Sequence, residues 1–456
     1  MSLVKFESML KTNSIYFFDL VEFEEIIIHY LDVGKVSLAK KALQLGLEQH
    51  PASVDLKLLQ VELYLIDNEV EKASKLLKRI AVISPNNDEV YIQKATIASK
   101  KGMHKEAIIA LEKALTLTND PFDIWSLLGM EHLYLDNFKS ARTYFIKCLE
   151  EDLEDYAALY NIVYCFDMDE KHEESIDYLN SYVDKNPYCE VAWHQLGRQF
   201  FILKNYKEAL IAFDYAVLVD ESFIGGYLEK AKTLEELGNY KEAIDNYLIT
   251  LELDDATAYA YVRIGQCYEK LLKLDTAISY YKKAVHEDPL LDKAWILLTN
   301  CYYIQENYAK AAHYLAKAIE IDGDNELYWR RYAEINIKLN FCEEAIVGYR
   351  NCLQLGDISL EIYVSLADVL SFLGEFKEAL RCIVNANKLY KNIAELEYRL
   401  AGLYYVMNKE GFAKTHLING LNIDFEYYTV LNQLFPSIAS YQPFQKLIAD
   451  YKKATE

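Results

Sequence analysis

The chain has 456 residues, and 70 Asp and Glu against 48 Lys and Arg give it a formal charge of −22. Phosphate backbones and anionic lipid surfaces repel such a charge, which argues against nucleic acid or a membrane as the main ligand. Only 7 Pro and 16 Gly accompany 52% hydrophobic residues. That composition excludes collagen, long disordered tracts and turn-rich all-β folds, and no apolar run is long enough to span a bilayer.

From the N-terminus, the apolar stretch Ile15–Leu20 is short, is broken by Asp19 and has no small-residue cleavage site behind it. It does not resemble an export signal, so a cytoplasmic location is expected. Leu3, Phe6 and Leu10 predict a short helix. Asp19 followed by Glu22 reads as a capping box, and Phe18 with Phe23 as its hydrophobic staple. Residues 1–19 are therefore expected to be a capping segment, with the first full helix starting at 20.

From residue 20 onward the chain repeats. Alanines stand at 39, 73, 107, 141, 209, 243, 277, 311, 345, 379 and 413, one every 34 residues, and Ser175 fills the remaining step. Counting these as position 20 of a 34-residue unit gives twelve units over 20–427, without insertion or deletion. Position 4 is aromatic in nine units and holds all four tryptophans, Trp125, Trp193, Trp295 and Trp329. Position 8 is small in nine units, position 24 is large, and position 27 is small in ten. Gly34, Gly102, Gly238 and Gly374 share position 15, and Pro51, Pro85, Pro187 and Pro289 share position 32.

Positions 4, 7, 8 and 11 lie on one face of a helix, and positions 20, 24 and 27 on one face of a second. Gly at 15 ends the first helix as a left-handed cap, and Pro at 32 stops the second. Each unit is thus an antiparallel helix hairpin with an apolar face that it cannot bury alone, so units must stack. Beyond 427, Phe444, Leu447, Ile448 and Tyr451 form an i, i+3, i+4, i+7 stripe. It predicts a C-terminal capping helix within 428–456, entered through Pro436 and Pro443.

The segments Trp125–Gly129 and Trp193–Gly197, the Ala at 20 and the Pro at 32 resemble the tetratricopeptide repeat (TPR). The resemblance implies an all-α, right-handed superhelical solenoid, with first helices lining a concave surface and second helices a convex one. It also implies a chain that binds proteins or peptides.

Signals of catalysis are missing. No phosphate-binding glycine loop and no H-E-x-x-H occurs. The eight cysteines show no C-x-x-C pair, and Cys165, Cys267 and Cys301 recur at position 10, as packing residues would. Asp167, Asp169 and Glu170 lack the glycine of a calcium loop. No cofactor, metal or enzymatic activity is expected.

The informative positions are those that the fold does not use. By the resemblance, positions 2, 5, 9, 12 and 13 of the first helix face the groove. Position 9 reads Arg198, Lys232, Gln266 and Asn300 through the centre of the chain, a run of donors in an acidic protein. Around them lie His194, Phe201, Tyr259, Tyr303 and Arg330. One reading is a solvated face. The other is a peptide groove in which donors hold carbonyls or an acidic or C-terminal carboxylate, while aromatics grip apolar side chains. The family's carboxylate clamp in its strict form is not supported, because no unit has Lys at position 5. The fifth unit departs most, with Ser175, Tyr182 at the small position 27, Asp167 at position 12, and the flanking acids Glu150, Glu151, Asp152, Glu154, Asp155, Glu173 and Glu174. It is either a loose joint or an acidic surface for a basic partner. The expected function is a non-enzymatic scaffold. The alternatives are a co-chaperone holding unfolded clients and, less well supported, a regulatory subunit.

Overall fold

The computed structural model describes residues 2–12, 16–253 and 257–455. Among them all regular structure is α-helical, in 28 helices from Ser2–Thr12 to Gln442–Thr455. The fold is an all-α helical-repeat solenoid. None of the described helices is long and apolar enough to cross a membrane.

The 34-residue register governs the backbone. In repeat two the helices are Val54–Ile66 and Val70–Ile83, and in repeat six Glu190–Ile202 and Tyr206–Val219, which occupy positions 1–13 and 17–30. Repeat three departs, because its second helix, His104–Leu115, stops early ahead of Pro121. All twelve position-20 residues, Ser175 included, are fully buried. A side chain no larger than Ala or Ser is what lets the paired helices touch there.

The turn between paired helices is more uniform than its residues. The sequence points to a left-handed turn at the four glycines. In the structure all twelve position-15 residues have positive φ, including Asn68, Lys204, Glu306 and Leu272 at 58°. Two further devices recur. The indole nitrogens of Trp193 and Trp295 donate to the carbonyls of Pro187 and Pro289, each at 2.9 Å, and that of Trp329 donates to Gly323 at 2.8 Å. Position 4 thus ties repeats six, nine and ten to position 32 of the repeat before. Gly129 and Gly197 at position 8 leave room for a ring at position 24, since a Cβ would stand 2.6 Å from Phe145 and 2.5 Å from Phe213.

Two compact units divide the chain, Met1–Thr233 and Leu234–Glu456. In the first, Asp19 and Glu22 form both bonds of the capping box, and the Phe18 and Phe23 rings lie 5.3 Å apart. Phe6, fully buried, packs against Phe18 and Tyr30. The fifth repeat is closed rather than loose. Tyr182 is buried, and its hydroxyl donates to the Leu153 carbonyl. Gln199 Nε2 donates to Asp167 at 2.8 Å across the joint with repeat six. In the second unit, Phe444 and Ile448 join Leu417 and Leu421 in one apolar cluster, with Leu447 and Tyr451 against it. Two short helices that the sequence reading did not foresee, Tyr428–Leu434 and Pro436–Ala439, precede that last helix. Between them Phe435 presses on Gly402.

Candidate functional site

The sequence-derived site residues fall into both units, four in the first and five in the second. In the first, His194 is half-buried, with its ring 5.2 Å from Phe223 and 5.8 Å from Phe213. Burial holds its pKa down at about 4; Glu229 opposes this, while Arg198 and Lys232 push the same way. His194 is therefore neutral near pH 7 and serves packing more than charge. Arg198 is exposed, and its guanidinium donates to Gln195 at 3.1 Å. Lys232 is paired with Glu229 at 2.7 Å. Phe201 is half-buried, edge-on to Tyr206 at 5.3 Å.

In the second unit Tyr259 is exposed, and Asn300 and Tyr303 are half-buried. The Tyr303 ring lies 5.4 Å from Tyr308 and beneath the Arg331 guanidinium at 4.8 Å. Gln266 accepts from Arg263 at 3.2 Å. Arg263 is itself fixed by Glu235 at 2.9 Å, and the Tyr247 hydroxyl donates to the same carboxylate at 2.6 Å. Arg330 is already engaged. It donates to Asp357 at 2.8 Å and Ser359 at 3.0 Å, at the end of repeat ten, and to Glu361 at 3.2 Å, in repeat eleven. Against the upward push of burial, hydrogen bonds from Ser359 and Arg330 hold the Asp357 carboxyl below its ordinary range. Arg330 is thus a strut of the stack as well as a groove candidate.

Position 6 is what the sequence reading missed. Gln195, Glu229, Arg263 and Arg331 bond to the position-9 side chains Arg198, Lys232, Gln266 and Glu334, three residues on in the same helix. The i, i+3 spacing was visible in the sequence and is the signal that finds these pairs. Of the nine candidates, Gln266 alone is on the wall of a described pocket. That pocket, of about 670 Å³, is lined by Glu235, Glu236, Tyr240, Arg263, Gln266, Glu269 and Lys270. The Glu269 carboxylate also accepts the Tyr281 hydroxyl and the Cys301 thiol. The pocket is polar and charged. Among the described residues no group of three or more His, Cys, Asp or Glu is arranged to hold a metal. Burial pushes the Cys148, Cys165 and Cys352 thiols up to about 11, so they remain protonated and poorly nucleophilic near neutral pH.

Family models described as tetratricopeptide repeat match residues 88–121, 126–188, 228–292 and 273–339. Solved structures with similar folds include YrrB, described as a TPR protein with an unusual peptide-binding site. It is 16% identical, with a TM-score of 0.35, and the match covers 40% of this chain and 95% of YrrB. A tetratricopeptide repeat protein from Parabacteroides merdae ATCC 43184 is 19% identical, with a TM-score of 0.37 and coverage of 55% and 98%. MamA from Desulfovibrio magneticus RS-1, residue 41 to its end, is 24% identical, with a TM-score of 0.34 and coverage of 37% and 96%. Comparison with curated proteins returns no match. The matched segments lie in the same 34-residue register as the buried alanines and the left-handed turns, and the chain belongs to the tetratricopeptide repeat family.

Proposed function

We propose that the protein is a non-enzymatic interaction scaffold that binds a protein segment along the exposed surface of its first helices. The observation that carries this reading is the pocket around Gln266, in which charged groups are pre-positioned by bonds to one another. Fixed donors and acceptors lower the ordering cost of binding a defined segment. A co-chaperone that holds unfolded clients needs instead a broad, adaptable apolar surface, and the lining of this pocket favours the scaffold. In the first unit Arg198, exposed and bonded to a neutral amide, supplies the cation for an acidic side chain or a terminal carboxylate.

The test starts with affinity purification of the full chain and mass spectrometry, followed by titration of the recovered partner. Hydrogen bonds to charged groups contribute roughly 1.5–3 kcal/mol, so Arg198→Ala should weaken binding about tenfold or more. Lys232→Ala should cost less, because Glu229 already occupies that ammonium. The loss should shrink as salt rises. Full affinity in a variant with native circular dichroism would remove the first-helix surface of repeat six from the site.

A further inference from the structure

Away from the first-helix ladder, the structure holds a recess of different chemistry. Between residues 70 and 113 nine Lys and Arg stand against five Asp and Glu, a local charge of +4 in a chain of −22. Within that stretch the helices Val70–Ile83, Asp88–Lys100 and His104–Leu115 enclose a pocket of about 470 Å³. Its floor is apolar, formed by Leu77, Val90, Ile97 and Ala98, all buried. Its rim carries the exposed Lys78, Lys94 and Lys101 against one carboxylate, Glu106. Lys101 is paired with Glu71 at 2.8 Å. Among the described residues Lys78 and Lys94 form no ion pair.

The repeat register shows what distinguishes this recess. Ala98 occupies position 11, which is Tyr, Phe, Leu, His or Asn in the other eleven repeats. Lys94 occupies position 7, which is aliphatic or Tyr in nine others. The equivalent recess between repeats one and two, of about 440 Å³, has Tyr64 at position 11 and Gln60 at position 7, so what sets repeat three apart is the small, buried Ala98 in the floor. Lys94 places a cation at the mouth. An apolar floor beneath a cationic rim has the form of a site for an apolar group flanked by negative charge.

We propose that this recess is a second docking site, distinct from the first-helix surface, whose occupant is an acidic peptide segment that inserts one apolar side chain. The apolar side chain fills the space above Ala98, and its flanking carboxylates meet Lys78 and Lys94. Nucleic acid fits worse, because the chain as a whole, at −22, repels polyphosphate. A bilayer fits worse, because the apolar surface lies in a recess and does not project.

The experiment is fluorescence anisotropy with the full chain and a labelled synthetic peptide of Asp and Glu flanking a central Phe. Controls are the same peptide with Ser at the centre, a Lys-for-Glu version, phosphatidylserine vesicles and a single-stranded oligonucleotide. The acidic Phe peptide should bind, and the Ser version should lose about tenfold or more, as expected for one buried aromatic side chain. The double variant Lys78→Glu, Lys94→Glu should lose at least about tenfold and most of its salt dependence. Ala98→Tyr places over the floor the residue that repeat two has at position 11, so it should occupy the space of the inserted apolar side chain and weaken binding about tenfold or more with unchanged helicity. Equal binding of the Phe, Ser and Lys peptides would overturn the proposal. So would unaltered affinity in a folded Ala98→Tyr or charge-reversed variant, or binding of vesicles or oligonucleotide without the acidic peptide.

Discussion

Leu272 shows what the register imposes on a single residue. Its φ is 58° and its side chain is 92% exposed, so it adopts a left-handed conformation while burying nothing in return. That conformation costs an L-residue roughly 1–2 kcal/mol, while glycine costs roughly 0.5–1 kcal/mol of chain entropy. Leu272→Gly should therefore stabilise the second unit by up to about 1 kcal/mol. Gly238→Leu, at the equivalent turn, should destabilise by a similar amount. Urea denaturation, with hydrogen exchange over Leu274–Glu287, measures both. A Leu272→Gly protein no more stable than wild type would mean that the strain is relieved by contacts the turn itself does not make. The identities Leu, Lys and Glu carry no left-handed preference, so those turns were not legible, whereas Asn68, Asp136, Asn340 and Asn408 do tolerate it and were a signal that the sequence reading missed. At Glu170, Lys204, Leu272 and Glu306 the 34-residue spacing, not the residue, sets φ.

Helices and their joints were legible in proportion to how far they depend on size alone. Positions 8, 20 and 24 are a volume code: Phe145 and Phe213 need glycine opposite, and the paired helices meet over an alanine. Such a code can be read from one sequence. The polar joints cannot, because they depend on which rotamer reaches which partner. Arg330 is a groove candidate by position, yet its guanidinium reaches Asp357 and Ser359 at the end of its own repeat and Glu361 in the next. Asp357 is mostly buried and Glu361 mostly exposed. Glu361 should therefore contribute little, and the Asp357 bond most of the roughly 1.5–3 kcal/mol of a charged hydrogen bond. Arg330→Ala should loosen the tie between the first helix of repeat ten and the turn that leads into repeat eleven by about that amount. Because the folded-state pKa of Asp357 lies below its unfolded value, near 3.9, this stability is fully present above that pH. It is lost as pH falls through the lower folded value. The gap between wild type and Arg330→Ala in thermal unfolding should thus close under strong acid. A gap independent of pH would show that Asp357 is not the partner that matters.

At the scale of the molecule, a stack of repeats is as stable as its exposed ends allow, since every repeat needs a neighbour to bury its second face. We propose that residues 428–456 supply that neighbour for the last repeat. Phe435, Phe444 and Ile448, each under a tenth exposed, cover Gly402, Tyr398, Leu417 and Leu421 within one cluster. Full burial of such a side chain stabilises by roughly 1.5–3 kcal/mol, so three of them outweigh what one terminal helix pair can lose and remain folded. Deleting 428–456 should fray Ala394–Val406 and Glu410–Ile423 first and lead to aggregation through the uncovered apolar face. Gly402→Leu tests the same contact without truncation, because its side chain would enter the space of the Phe435 ring. Hydrogen exchange should quicken from residue 394 onward in both proteins, while the Met1–Thr233 unit keeps its protection. A truncated chain as soluble and heat-stable as the full one, with protection retained through Ile423, would show that repeat twelve closes the stack by itself.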